Sequence, residues 1–411
     1  MKVWLHTIGC RANQYDTEAV RAMVERGGHA IVADASEADV AVFNSCAVTT
    51  DAVADLRQAV RRTARLNRDI RSVVMGCASA LPEGETLRAL PNVTSIVAGA
   101  DLDAVAMALG IGMPVDPVRT RAQSGARGLL RVQDGCDEHC TFCATTIARG
   151  ANRSRSIEAL ADDATALAER HPEIVITGIH IGTYGQDTGS TLGGLMTQLI
   201  ESVRDVRFRL TSIEATEVDE CLLDLMASEP RRLVPQIHAP LQSGSNAVLR
   251  RMGRHWYTAE RYRASIERMA ERLPVFGLGA DVITGFPGET EADHTATTSL
   301  VQSLPFTYLH VFTYSERPGT AAAKLGNPVA AQASQRRAKE LREAGSAKAA
   351  AYAMSRVGQI ADVVGIGGGV GRRGLTEDYL EIDLGDSRIG RGERADVVLG
   401  SCDGRLVGKV P

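Results

Sequence analysis

Apolar, β-leaning runs alternate with amphipathic helical stretches along most of this chain, and in the first eighty residues three such runs each end in a cysteine. "KVWLHTIGC" stops at Cys10 and precedes the helix-like "DTEAVRAMVERGG"; "DVAVFNSC" stops at Cys46 and leads into "DAVADLRQAVRRTARL"; "IRSVVMGC" stops at Cys77. Strand then helix, repeated, predicts a small open α/β domain with a parallel sheet. In such sheets ligands collect beyond the carboxyl ends of the strands. Three thiols at that edge can meet in space although more than thirty residues separate them in the chain. A single buried cysteine is an ordinary small apolar side chain. Three at one topological position point to a metal site.

The alternation resumes near residue 128 with six strand-like runs: "GLLRVQDG", "IVITGIHIG", "RFRLTSIE", "VPQIHAPLQ", "GLGADVITGF" and "YLHVFTYS". Amphipathic stretches such as "TAERYRASIERMAER" separate them, which predicts a partial β/α barrel of six units with its site at the strand ends. Polar and glycine-rich pieces fall there: "QDGC", "HIGTYG", "SIEATE", "LQSGS" and "GFPGET". The last segment, from about 356, has short alternating strands between glycine turns and predicts a small β-barrel. The expected organisation is therefore an α/β domain at 1–112, a linker at 113–127, the barrel at 128–355 and the small β-barrel at 356–411.

The length of 411 residues fits two or three domains. With 44% hydrophobic and 23% charged residues the chain is globular and not disordered. The start "MKVWLHTIGC" lacks a signal-peptide pattern, and no apolar run approaches transmembrane length, so a cytoplasmic location without membrane association is expected. Eight cysteines in such a chain indicate metal binding or reactivity before disulfides. A net charge of −4 does not mark a nucleic-acid binder, although a local basic surface is compatible with it.

"GCDEHCTFC" places Cys136, Cys140 and Cys143 at the spacing C-x3-C-x2-C, directly after the first strand of the second region. A zinc site needs a fourth ligand and usually pairs two C-x2-C motifs, of which only one occurs here. A cubane iron–sulfur cluster normally takes four thiolates, yet no further cysteine follows until Cys221. With Phe142 between the last two cysteines, the stretch resembles the signature of the radical S-adenosylmethionine (SAM) enzymes. That resemblance implies a [4Fe–4S] cluster on three thiolates, with SAM chelating the fourth iron and cleaved reductively to a 5′-deoxyadenosyl radical.

"TIGCRANQYDTE", "NSCAVT", "MGC", "VQDGCDEHCTFC", "LQSGSNAVLRRM", "ADVITGFPGET" and "HVFTYSERPGTAA" together resemble the methylthiotransferases, in order over nearly the whole chain. The resemblance implies a second [4Fe–4S] cluster on Cys10, Cys46 and Cys77 that carries sulfur, a TRAM-like RNA-binding domain at the C-terminus, and tRNA as partner. It also implies an electron donor such as flavodoxin or ferredoxin, and a sulfur donor. "CRANQYDTE" looks most like the branch that converts N6-threonylcarbamoyladenosine next to the anticodon to its 2-methylthio derivative. Sibling branches act on isopentenyladenosine in tRNA or on a protein side chain. One departure is visible: where the family commonly has proline and an aromatic after the last cysteine, this chain has Thr146 and Ile147.

At the strand ends, Gly178, Ser212, Glu214, Gln242 and Asp281, with Phe142 in the cysteine loop, are the candidates to hold SAM or substrate; their alternative reading is capping and turn formation. His180 and His238 are equally compatible with structural roles. Arg149, Arg153 and Arg155 in "ARGANRSRS", and Arg372 and Arg373 in the last segment, suit phosphate contacts or a solvated charged surface. Cys221 and Cys402 read as incidental thiols. A plain electron-transfer protein is the non-enzymatic alternative, against which the open coordination position argues. The last segment is expected to serve binding and not chemistry, so that a chain ending near Arg356 still cleaves SAM but binds tRNA more weakly.

Overall fold

In the computed structural model, which describes residues 1–47, 50–112, 120, 122–367 and 372–410, the chain begins β1 (Lys2–Thr7), α1 (Arg11–Arg26), β2 (Ala30–Ile31), β3 (Val40–Ser45), α2 (Thr50–Leu66), β4 (Arg71–Gly76), β5 (Val93–Ile96) and α3 (Leu102–Leu109). The strands form one parallel sheet in the order β2-β1-β3-β4-β5. β3 is buried at every position, as a central parallel strand covered on both faces requires. Its alternation divides two cores: Val40 and Val42 pack with Val20, Met23 and Val73, whereas Ala41 and Phe43 pack with Leu56, Val60 and Val74. Register sets the cysteine edge. Ser45 lies opposite Gly76, so Cys46 and Cys77 leave the sheet at one level.

Two short strands, β7 (Gln133–Asp134) and β8 (Arg153–Ser154), bracket the second cysteine loop, which closes with α4 (Thr145–Arg149) after β6 (Gly128–Arg131). There follow α5 (Ile157–Ala168), β9 (Glu173–Thr177), α6 (Leu192–Ser202), β10 (Arg207–Leu210), α7 (Glu220–Ser228), β11 (Gln236–His238), α8 (Asn246–Arg251), α9 (Ala259–Arg272), β12 (Gly277–Thr284), α10 (Glu291–Ser303), β13 (Tyr308–Thr313) and α11 (Ala331–Ser355). All six barrel strands appear where the sequence pattern put them, in two parallel sheets, β6-β9-β10 and β11-β12-β13. Bridges Phe208–Leu233 and Ser212–His238 join the two sheets. Among the described residues no pairing joins β13 to β6, so the barrel is partial. Local chemistry agrees with the elements. "GETEAD" forms a capping box at the start of α10, with Thr290 and Asp293 exchanging hydrogen bonds.

The last segment is a closed barrel of β14 (Ile360–Gly365), β15 (Arg373–Leu375), β16 (Glu381–Asp383), β17 (Arg394–Cys402) and β18 (Arg405–Lys409). It is not a loosely tethered appendage. Its turn at 375–379 meets the N-terminal ends of the central strands: Arg207, first residue of β10, donates to the Leu375 carbonyl at 3.0 Å, and Arg209 donates to the Thr376 carbonyl at 2.9 Å. A Cβ on Gly277, at the start of β12, would lie 2.2 Å from the Asp378 carbonyl oxygen, so only glycine admits this approach. At the end of α11, Arg356 pairs with Asp378 and Glu377 at 2.8 and 2.6 Å. The barrel thus covers buried charges of the central strands.

The chain divides into two compact units. One comprises residues 1–124, 133–153 and 315–324; the other comprises 125–132, 154–314 and 325–411. The second cysteine loop thus belongs to the same unit as the N-terminal sheet. Residues 113–119 and 121, the greater part of the expected linker, lie outside the described residues. No helix among the described residues is long and apolar enough to cross a membrane.

Candidate metal centres and the barrel site

The loop after β1 turns at Gly9 and starts α1 at Arg11, so that Cys10 is the extended N-cap residue of that helix. Gly9, Gly76 and Gly135 immediately precede Cys10, Cys77 and Cys136, and have φ of +134°, +97° and +74°. At Gly76 a Cβ would come within 2.4 Å of Asn44 Oδ1 and the Ser45 carbonyl, so the turn that presents Cys77 requires glycine. The three N-terminal cysteines meet around one side chain. Asn13, fully buried on the first turn of α1, has its Oδ1 3.7 Å from Cys10 Sγ and 3.9 Å from Cys77 Sγ. The Cβ of Cys46 lies 3.0 Å from where a Cβ on Gly9 would be. Asn13 Nδ2 donates to the Ser45 and Ile8 carbonyls at 2.8 and 3.2 Å, which fixes the amide with its oxygen toward the thiols.

The second triad sits on an irregular turn. Cys143 N–H donates to the Cys140 carbonyl at 3.1 Å, Cys136 N–H donates to the Gly150 carbonyl at 3.0 Å, and Thr145 N–H donates to Cys143 Sγ at 3.3 Å. All three thiols are half-buried, as is Phe142 beside them. Thr146, in the place where relatives of the signature have proline, is the second residue of α4, a first-turn position that either residue tolerates. Ala144 and Ala148 pack with Cys77, Ala78 and Leu81, which joins the two cysteine loops through one apolar cluster.

Neither triad is tight enough for one ion. Among the described residues the only group of three ligand atoms within 4.8 Å of one another is His238, Asp281 and His310. A tetrahedral zinc with bonds of about 2.3 Å would bring its sulfurs to roughly 4 Å from one another. Cysteine thiolates are the usual ligands of iron–sulfur clusters, and each triad offers three of them. Burial pushes the Cys77 thiol up to about 11 against the pull of nearby Arg149, so without a metal the site holds this thiol protonated.

Arg149 is where the structure departs most from expectation. It is 6% exposed and is engaged inward, so it does not offer a phosphate contact. Its Nη2 donates to Asp16 Oδ2 at 2.6 Å and to Asn13 Oδ1 at 3.0 Å, and its Nη1 donates to Asp134 Oδ1 at 3.1 Å. Burial alone would lower the guanidinium pKa; the charges of Asp16, Cys77 and Asp134 outweigh it and raise it. Arg155 is also committed, to Asp163 at 2.6 Å. Arg153 has a side chain 61% exposed, Arg373 pairs with Glu381 at 2.9 Å on the surface, and exposed Arg372 donates to the Ser387 carbonyl.

At the central strands the polar candidates separate into groups. Asp281, on β12, is held by His238 Nε2 at 3.0 Å and His310 Nδ1 at 3.3 Å. Burial would raise its pKa, but hydrogen bonds from the two imidazoles take it well below the usual carboxylate range. Tyr308 lies 3.2 Å from His238 Nδ1, and His310 and Phe312 extend the row along β13. Ser212 bridges to His238, and Gln242, with φ of +60°, bridges to Val282, so both stand beside this group. Gly178 follows the last residue of β9 and is half-buried. Glu214 is taken by Arg254 in a buried pair, and His180 contacts Glu217 at 3.0 Å. Sequence reading missed Asn13, Asp16, Tyr308 and His310. Alternation of Tyr308, His310 and Phe312 in "YLHVF" was the available signal for the last two, and Asn13 and Asp16 stand within "CRANQYDTE", three and six residues after Cys10. Cys221 and Cys402 are exposed.

Comparison with known proteins agrees with this arrangement. A model of uncharacterized protein family UPF0004 matches residues 2–99, and one of the radical SAM superfamily matches residues 130–301. Over 400 residues the chain is 33% identical to the threonylcarbamoyladenosine tRNA methylthiotransferase MtaB of Aquifex aeolicus (strain VF5), spanning 93% of this chain and 96% of that protein. It is also 33% identical over 343 residues to a tRNA-2-methylthio-N(6)-dimethylallyladenosine synthase of Cereibacter sphaeroides (strain ATCC 17023), spanning 79% of this chain and 78% of the relative. In fold it resembles the radical S-adenosylmethionine methyltransferase TsrM from Kitasatospora setae, with a TM-score of 0.59 at 14% identity over 78% of this chain and 76% of that one. With two separate cysteine triads, a six-stranded partial barrel and full-length relatives of this kind, the chain belongs to the methylthiotransferase family of radical SAM enzymes.

Proposed function

We propose that this enzyme converts N6-threonylcarbamoyladenosine next to the anticodon of tRNA to its 2-methylthio derivative. The observation that carries the reading is the convergence of Cys10, Cys46 and Cys77 around Asn13 in the same compact unit as the Cys136, Cys140 and Cys143 loop. An iron–sulfur cluster bound by three thiolates supplies one-electron chemistry and leaves an iron open, to SAM at one triad and to sulfur at the other. The chain's own residues hold and orient. Thr145 N–H, donating to Cys143 Sγ, tunes that sulfur, and Asn13 fixes the N-terminal thiols.

In this reading Gly178, Ser212, Gln242 and Asp281 bind SAM or the target nucleoside at the strand ends, beside the imidazoles of His238 and His310. Glu214 supports them from a buried pair with Arg254, and Phe142 in the cysteine loop contributes to holding SAM. The closed C-terminal barrel serves as a TRAM-like RNA-binding domain, with exposed Arg153, Arg372 and Arg373 meeting phosphates. An electron donor such as flavodoxin or ferredoxin and a sulfur donor complete the partners, in the cytoplasm. The domain limits 1–112, 128–355 and 356–411 mark these three roles.

The threonylcarbamoyl branch is favoured by "CRANQYDTE" and by the length over which the named relative matches. Purified, reconstituted enzyme with SAM and a reductant should convert tRNA carrying the threonylcarbamoyl group and leave isopentenylated tRNA untouched. Nucleoside mass spectrometry showing the reverse preference moves the protein to the sibling branch.

A further inference from the structure

The buried pair of Arg149 and Asp16 has no counterpart in the reading above. Both side chains are within 2% of full burial, and a charge so placed is costly unless something compensates it. Arg149 follows Cys143 by six residues on α4, whereas Asp16 lies on α1 after Cys10, so the pair ties the two cysteine loops together. Its Nη2 shares the Asn13 oxygen that also faces the sulfurs of Cys10 and Cys77. The Nε–H of Arg149 is buried and has no hydrogen-bond partner. The guanidinium lies near enough to Cys77 to pull on its thiol, and hydrogen bonds and net charge around an iron–sulfur site set its potential.

We infer that Arg149 is a positioning and charge-compensating residue for the Cys10, Cys46 and Cys77 site, with Asp16 moderating its charge. The inference rests on the reading that this triad holds a cluster. Removing the cation leaves the site more negative and harder to reduce; removing the carboxylate leaves it more positive and easier to reduce. A merely structural pair would give no such opposition, since either loss would disturb the same packing.

The test uses the full-length, anaerobically reconstituted protein and an EPR-monitored redox titration. The C136A/C140A/C143A variant assigns the N-terminal signal. Arg149→Met should shift the N-terminal midpoint potential to more negative values, Arg149→Lys should restore most of the difference, and Asp16→Asn should shift it to more positive values. An unchanged potential in Asp16→Asn at full iron content overturns the inference, as do shifts of one sign in both Arg149→Met and Asp16→Asn. Loss of N-terminal iron in Asp16→Asn also overturns it, because removing a carboxylate should strengthen the hold on an anionic centre. Wild-type protein carrying about four irons instead of about eight would instead defeat the underlying two-cluster reading.

Discussion

Arg207 Nε and Glu173 Oε2 lie 2.7 Å apart with both side chains completely buried, at the first residues of two adjacent barrel strands. Arg209 and Arg127 also reach Glu173, at 2.9 and 3.0 Å. Burial would raise the Glu173 pKa, but the three guanidinium groups take it well below the usual carboxylate range. A depressed pKa contributes stability that is complete above the unfolded value of about 4.3 and is lost as pH falls below it. Glu173→Gln should therefore destabilise the protein by about 3–5 kcal/mol at neutral pH, since it leaves buried cations uncompensated. The variant should also show a shallower acid limb. Urea denaturation at pH 7 and at about pH 3 measures both.

Truncation after Arg356 should do more than remove an RNA contact. It takes away the carbonyls of Leu375, Thr376 and Glu377 that accept from Arg207 and Arg209. It also removes Asp362, 3.4 Å from Arg207 Nη1. The shortened chain should be more protease-sensitive and unfold at lower urea than the full chain. Equal stability of the two would show that water replaces these contacts without loss.

The triads should be separable. Replacing Cys136, Cys140 and Cys143 with alanine should leave about four irons per chain and abolish reductive SAM cleavage. Replacing Cys10, Cys46 and Cys77 should leave about the same iron but retain SAM cleavage while thiolation of tRNA stops. Iron analysis and detection of 5′-deoxyadenosine distinguish these outcomes.

Arg153 and Arg372 are two of the three exposed cations among those singled out, with Arg373. Changing both to alanine should weaken tRNA binding and flatten its salt dependence, by about 0.7 in the log–log slope for each lost phosphate contact. The same change should leave reductive SAM cleavage without tRNA unaltered. Filter binding across a salt series supplies the slopes.

The sequence alone determined the alternation of strands and helices, the six barrel strands, the small terminal barrel and both sets of cysteines. Each of these is written in local periodicity or short-range spacing, and each glycine before a cysteine marks a turn that the backbone needs. What the tertiary structure decided depends on charges that meet from distant parts of the chain. "ARGANRSRS" reads as a solvated basic loop, yet Arg149 turns inward because Asp16, 133 residues earlier, and Asp134 compensate it there. The alternation of His310 with Tyr308 and Phe312 identifies no site until β11 and β12 bring His238 and Asp281 beside it. The terminal barrel reads as a separate module until the turn at 375–379 is seen to satisfy Arg207 and Arg209. A buried charge is tolerated only with its partner in place, and which partner arrives is a property of the fold and not of the local sequence.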